Sequence, residues 1–241
     1  MFKYTSKYCM MGMMSKNGSP FNNWLGFKKN KNNAVSFDMD FHPDFPKVNY
    51  SYIYERPKVK GVRKSTQIVS KFDGQFFKLE GKGFKEIRET KNKFNKVVRA
   101  GEYDKNKVLE LIDKWDSISG AKYGWQRHSG YDRSFFNNWY ALEQDNLISS
   151  FYYIGDKLVG YSVLHKNDNC YDYIIRKTNN TIRNTCLYVD YKTFESIYEK
   201  EKKPFLVNWG ASGGGVLKYK KKFPVFQETR VYFYRIVRDE S

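Results

Sequence analysis

The sequence predicts an α/β protein with a mixed central sheet flanked by helices and a β-rich N-terminal extension. Three observations carry this reading. From residue 84 onward, helical and strand-like periodicities follow one another in an ordered run. Between residues 35 and 79, short strand-like segments follow one another, with apolar and polar residues alternating over 35–41, the period of a half-buried strand. The chain has 241 residues and 40% hydrophobic side chains, enough to bury a core. The expected division is residues 1–71 for the extension and 72–241 for the main domain.

Residues 1–35 are rich in Asn, Lys, Gly and Ser around Phe21, Trp24 and Phe27, and read as irregular. Residues 35–41 alternate apolar and polar, and residues 50–54 form an aromatic-rich strand that closes before Pro57. Residues 67–70 give a weaker strand signal, and residues 76–79 read as a strand ended by Gly81. A helix is expected over 84–98, with Phe84, Ile87, Lys91, Phe94 and Val98 on one stripe and Gly101 as its stop. Asp104 then caps a helix over 105–117 whose apolar face is Val108, Leu111, Ile112 and Trp115.

Residues 118–133 read as a loop and 134–144 as helical. A hairpin follows: strands 147–154 and 158–165 joined at Gly155-Asp156-Lys157. Residues 171–176 form a further strand, and Asn179-Asn180 marks a loop. The helix 187–200 turns Leu187, Tyr191, Phe194, Ile197 and Tyr198 inward. Residues 205–209 form a strand that enters a glycine-rich loop, 210–215. A short basic helix, 216–223, is stopped by Pro224, and 230–237 is the closing strand.

Composition speaks to partners. Lys and Arg number 43 against 26 Asp and Glu, a net charge of +17. That excess points to a polyanion, with nucleic acid first and an anionic membrane surface second. An 18% aromatic content argues against disorder. No apolar run is long enough for a membrane span. Cys9, Cys170 and Cys186 make no disulfide framework or zinc spacing, and His42, His128 and His165 are scattered, so no metal site is expected. The N-terminus lacks the features of a secretory signal, and a cytoplasmic location is expected. Richness in Lys, Asn, Tyr and Ile fits an AT-rich genome such as a bacteriophage's, which would place the protein in the host cytoplasm.

The element order resembles the GNAT acyltransferase fold, and two local sequences narrow the likeness. LEGKGFKEIR (residues 79–88), followed by Asn92-Lys93-Phe94, is similar to the opening helix of one branch. VNWGASGGGVLKYKKKFP (residues 207–224) is similar to that branch's closing motif. The branch holds the FemABX-like aminoacyl transferases and the phosphatidylglycerol lysyltransferase-like proteins. The resemblance spans residues 72–237 and implies transfer of an acyl or aminoacyl group from an activated donor, aminoacyl-tRNA or acyl-CoA, to an amine. One departure stands out. Acetyl-CoA-dependent members grip the cofactor pyrophosphate with a glycine-containing loop at a helix N-terminus. The matching residues 176–185 contain no glycine, which argues against a conventional acetyl-CoA site.

Among site candidates, Gly210, Ser212, Gly213, Gly214 and Lys218 are expected to bind substrate through backbone amides and a helix N-terminus. Lys220 occupies the lysine position of the closing motif, and a point charge there can stabilise a tetrahedral oxyanion; the alternative is a solvated lysine. Tyr219 is a candidate general acid or a packed aromatic. Asp172 is a candidate base or an ordinary strand carboxylate. Asn208 is a candidate substrate contact or a loop-capping amide. Lys85, Arg88, Lys91, Arg127 and Arg133 are candidates for phosphate contacts, against the alternative of an ordinary lysine-rich face.

Three functions stay open at this point. The first is transfer with a nucleic acid as acceptor (a modified DNA base, as in phage hypermodification) or as donor carrier (tRNA). The second is aminoacyl transfer to a peptidoglycan precursor or anionic lipid. The third is a non-catalytic nucleic-acid-binding module. Oligomeric state is not encoded in any motif.

Overall fold

The computed structural model describes residues 28–29, 35–38, 48–53, 63–120, 132–133, 135–141, 145–166, 170–212 and 214–237. Phe21, Trp24, Phe27, Cys9, His42, Arg127, His128 and Gly213 lie outside them. Ten strands are present among the described residues. They are β1 (Lys28–Lys29), β2 (Val35–Asp38), β3 (Val48–Ile53), β4 (Arg63–Phe72), β5 (Val98–Gly101), β6 (Leu147–Ile154), β7 (Lys157–Lys166), β8 (Tyr171–Thr178), β9 (Phe205–Ser212) and β10 (Val225–Val237). The α-helices are α1 (Gly74–Lys78), α2 (Lys85–Phe94), α3 (Lys105–Trp115), α4 (Thr185–Glu201) and α5 (Gly214–Lys220).

The strands form one sheet in the order β1-β2-β3-β10-β4-β9-β8-β7-β6-β5. Neighbouring strands are antiparallel except β8 and β9, which are parallel. The expected boundary near residue 71 falls at the end of β4, an interior strand paired with β10 on one side and β9 on the other.

Alternation along the strands separates two helical layers. Phe151 and Tyr153 of β6 pack with Val108, Leu111 and Ile112 of α3. Tyr152 between them packs with Tyr188 and Val189 of α4 on the opposite face. The larger core joins Phe76, Ile87, Leu187, Tyr191, Phe194 and Phe223 to Ile68, Phe72, Tyr173 and Trp209 of the sheet. Gly160 sets how closely α4 approaches, because a Cβ there would meet Val189 Cγ2 at 2.6 Å.

Three sequence expectations are corrected. Residues 76–79 are not a strand, because Gly74–Lys78 is helix. Asp73 Oδ1 accepts from the backbone N–H groups of Gln75 and Phe76, at 3.1 and 3.2 Å. Phe76 then packs edge-on to Phe72, and Phe77 stacks on Tyr198 at 4.7 Å. Capping and packing override the strand propensity of the two phenylalanines.

The helix expected to reach Val98 ends at Phe94, and Val98–Gly101 pairs with β6 as an edge strand. Gly101 is therefore not a helix stop. It admits the Tyr153 ring, which a Cβ would meet at 2.8 Å.

The glycine-rich segment is not a six-residue loop either. β9 runs to Ser212 and α5 begins at Gly214.

Candidate functional site

The site grows from two bulges in the parallel pair. β8 and β9 pair only at Tyr171↔Val207 and Asp172↔Asn208. On β8, Leu164 of β7 opposes Tyr173 and Val163 opposes Ile175, so Ile174 is an extra residue. On β9, Val69 of β4 opposes Asn208 and Gln67 opposes Ala211, so Trp209 and Gly210 are set against Ile68. A bulge bends its strand and increases local twist. Two bulges just past the paired residues account for the divergence of β8 from β9.

Gly210 adopts φ +68°, the left-handed region in which a side chain is strained. This turns the carbonyls of Trp209 and Gly210 toward one cation. Lys220 Nζ donates to both, at 3.2 Å from Gly210 O. Lys220 reaches them from the last residue of α5 and is 8% exposed. Burial, reinforced by the nearby Arg176 charge, pulls its ammonium down to a pKa of about 7, while Asp190 acts in the opposite sense.

Asn208 maintains the β9 bulge. Its Oδ1 accepts from the Gly210 N–H and from Gln67 Nε2, both at 3.0 Å. Its Nδ2 donates to Asp172 Oδ1 at 2.9 Å. Asp172 is 2% exposed and Asn208 fully buried. Alternation places this network on the face away from α4, because Tyr173 and Trp209, one residue on in each strand, stack together on the α4 side.

The α4 side holds a second network, of which the sequence reading singled out Tyr219 alone. Asp190 is fully buried. It accepts from the hydroxyls of Tyr173 and Tyr219, each at 2.5 Å, and it pairs with Arg176. Tyr173 and Arg176 are three residues apart and would lie on opposite faces of a regular strand. The Ile174 bulge brings both to Asp190. Arg176 also lies over the Tyr219 ring, 4.8 Å from its centroid. Burial and the adjacent Asp190 keep the Tyr219 hydroxyl protonated well above the usual phenol range. Burial also raises the Asp190 carboxyl, although Arg176 and the two phenols favour its charged form. Asp190 was legible in principle, since it shares the inward stripe of Leu187, Tyr191 and Phe194.

The structure thus gathers Lys220, Tyr219, Gly210, Asn208 and Asp172 around the splay but divides them between two faces. Gly210 serves a bulge, Ser212 is buried at the end of β9, and Gly214 and Lys218 are exposed on α5. The basic residues proposed for phosphate are spread out and mostly engaged within the chain. Arg88 donates to Leu79 O and Gly81 O, and Lys91 to Tyr191 and Glu195. Arg133 pairs with Asp113 and Asp116. Lys85 is exposed, 3.8 Å from Glu89. Among the described residues, no group of three or more His, Cys, Asp or Glu is placed to hold a metal, and no helix is long and apolar enough to cross a membrane.

A splayed parallel pair, a hairpin leading into it and a helix on each side define a GNAT-like fold. Solved structures bear this out. The chain is similar to a conserved protein of unknown function from Bacteroides thetaiotaomicron VPI-5482, at 16% identity and a TM-score of 0.55, over 78% of this chain and 62% of that one. It is similar to FemX at 8% identity and a TM-score of 0.52, over 75% of this chain and 65% of that one. A functionally unknown conserved protein from Staphylococcus epidermidis ATCC 12228 gives 10% identity and a TM-score of 0.51, over 86% and 73%. The chain therefore spans less than two thirds of the first two proteins, and the likeness is one of fold. No protein-family model and no curated protein sequence matches it.

Proposed function

We propose that the protein is a transferase that moves an acyl or aminoacyl group from an activated donor to an amine at the β8–β9 splay. A nucleic acid serves as acceptor or as donor carrier. The observation that carries this reading is Lys220: a buried ammonium held at the opening of the diverging strands by two main-chain carbonyls. In the reaction, the amine lone pair attacks the carbonyl carbon of an ester, as in aminoacyl-tRNA, or a thioester, as in acyl-CoA. Negative charge develops on the carbonyl oxygen. The C–O or C–S bond then breaks, and the proton lost by the amine is balanced by one taken up by the leaving group. A fixed cation beside the developing oxyanion lowers the barrier most where water is excluded.

The other residues support this centre in the proposal. Asp172 and Asn208 hold the bulge rather than move the proton, and Tyr219 positions Asp190 and Arg176. Gly214 and Lys218 flank the opening. The net charge of +17 supports a polyanionic partner. Lys218, exposed and without an ion-pair partner among the described residues, adds to that support. The test is to incubate the protein separately with a charged tRNA pool and with acetyl-CoA, each with duplex DNA, with deacylated tRNA, with anionic lipid vesicles and with a peptidoglycan precursor. Carrier release that depends on the nucleic-acid acceptor supports the reading. Turnover only with a lipid or peptidoglycan precursor transfers the activity to that acceptor class. Salt-sensitive binding without turnover assigns a binding module.

A further inference from the structure

Three polar side chains stand in one row across the end of β9. Ser212 of β9 opposes Thr66 of β4, and Thr66 opposes Arg230 of β10. Directly opposite residues share a face and hold their Cβ atoms about 4.5–5.5 Å apart, so the row spans about 10 Å. Ile68 and Phe72, on the same face of β4 as Thr66, belong to the core beneath α4, which places the row on the side of α4 and α5. Lys220 of α5 lies on that side too, bonded to the carbonyl of Gly210, two residues before Ser212.

None of the three side chains has a hydrogen-bond or ion-pair partner among the described residues. Ser212 is 9% exposed, and a hydroxyl removed from water without a partner is costly. Ser70, on the same face of β4, shows the ordinary solution: it accepts from Trp209 Nε1 at 2.8 Å. Thr66 is partly exposed and Arg230 exposed, so the row has a closed end at Ser212 and an open end at Arg230. The carboxylate that β10 itself offers, Glu228, is held by Lys221 of α5 at 2.7 Å. Arg230 therefore keeps an uncompensated charge. Two hydroxyl donors at the closed end and a guanidinium fork at the open end match the oxygens of one anionic group.

We propose that Ser212, Thr66 and Arg230 form a subsite for one oxyanion group of the substrate, a carboxylate or a phosphate, on the β4–β10 side of Lys220. This rests on the reading of Lys220 as the reacting centre: binding a group that does not react fixes the position of the one that does. Its test is binding and needs no turnover. The probes are inorganic phosphate and succinate, titrated calorimetrically into the full chain. At least one of them is expected to bind at a single saturable site. Arg230→Gln weakens that binding at least tenfold, and Ser212→Ala and Thr66→Val each weaken it several-fold. Lys93→Gln, at an exposed lysine on α2, changes it less than twofold.

Urea unfolding of the free protein gives a second readout. Ser212→Ala removes a hydroxyl with no partner to lose, so its midpoint stays unchanged or rises, whereas Ser70→Ala, which strands the Trp209 N–H, lowers it. Tighter binding of phosphate identifies a phosphate-bearing substrate, and tighter binding of succinate a carboxylate. Absence of saturable binding overturns the proposal, as does equal affinity in the wild type, Arg230→Gln and Ser212→Ala. Equal weakening by Lys93→Gln would reveal diffuse attraction and overturns it as well. So does a midpoint for Ser212→Ala as low as that of Ser70→Ala, because the hydroxyl would then be bonded within the protein. A protein that binds the probe through Arg230 but transfers nothing keeps the subsite and loses the transferase reading; transfer abolished by Lys220→Met but untouched by Arg230→Gln does the reverse.

Discussion

Asn208 Oδ1 lies 3.0 Å from the backbone nitrogen of Gly210, two residues along the same strand. That bond closes the β9 bulge, and the bulge presents two carbonyls to Lys220. Asp172 and Gln67 orient the amide from either side. A residue that the sequence offered as a substrate contact is, in geometry, the brace of the residue proposed to act.

Removing the brace should cost stability. Asn208→Ala leaves the Gly210 N–H, the Gln67 amide and the Asp172 carboxylate short of a partner in a buried setting. Each such group costs about 1–3 kcal/mol, so the variant should lose at least about 2 kcal/mol in urea unfolding. A loss within about 0.5 kcal/mol, as at an ordinary surface site, would remove Asn208 from this role.

Gly210 should resist substitution for a backbone reason. At φ +68°, Gly210→Ala is expected to lose about 1 kcal/mol or more and to displace the carbonyls that hold Lys220. Gly215→Ala is the control, because nothing lies within 4 Å of a Cβ there and its φ is not in the left-handed region. Equal effects at the two positions would contradict the assignment.

Lys220 gives the account a pH signature. Its folded pKa is about 7, well below the ordinary lysine value. Between these two values the unfolded chain holds a proton that the folded chain has released, so stability rises with pH. Relative to Lys220→Met, the wild type should gain about 1.4 kcal/mol per pH unit from pH 7 toward pH 10. Activity that needs the ammonium should fall as pH rises through about 7. A stability difference that stays flat over this window would show that Lys220 is charged throughout.

The buried pair should behave as a unit. Asp190→Asn strands Arg176 and is expected to cost about 3–5 kcal/mol, whereas Asp190→Asn combined with Arg176→Met, which removes the stranded cation and keeps an acceptor for the Tyr173 and Tyr219 hydroxyls, should recover much of that loss. Additive single losses in a double-mutant cycle would show that the two side chains do not couple.

Local patterns were enough for the hairpin of β6 and β7, for Asp104 as the cap of α3, and for the strand–helix–strand ending of β9, α5 and β10. They were not enough where distant packing decided the outcome. Phe76 and Phe77 have strand propensity, but Asp73 and Tyr198 make them helical. Val98 continued the stripe of α2, but the open edge of β6 drew it into the sheet. Lys220, Asp172 and Asn208 were visible as residue types. Their division between two faces was not, because it depends on bulges at Ile174 and Gly210 that no periodicity announces. Arg176 was missed for the same reason, since three residues beyond Tyr173 along a strand ordinarily means the opposite face; Asp190 lay on the inward stripe of α4 and could have been found from it.

The most direct test of the central claim is mass spectrometry of nucleosides from DNA and tRNA. Cells or phage carrying the wild-type gene are compared with the same strain carrying Lys220→Met, with both proteins shown to be expressed and folded. The account predicts a mass increment on a nucleoside in the wild type alone, equal to the transferred group. Identical nucleoside profiles in the two strains, with no Lys220-dependent release of the aminoacyl group from charged tRNA, would contradict it.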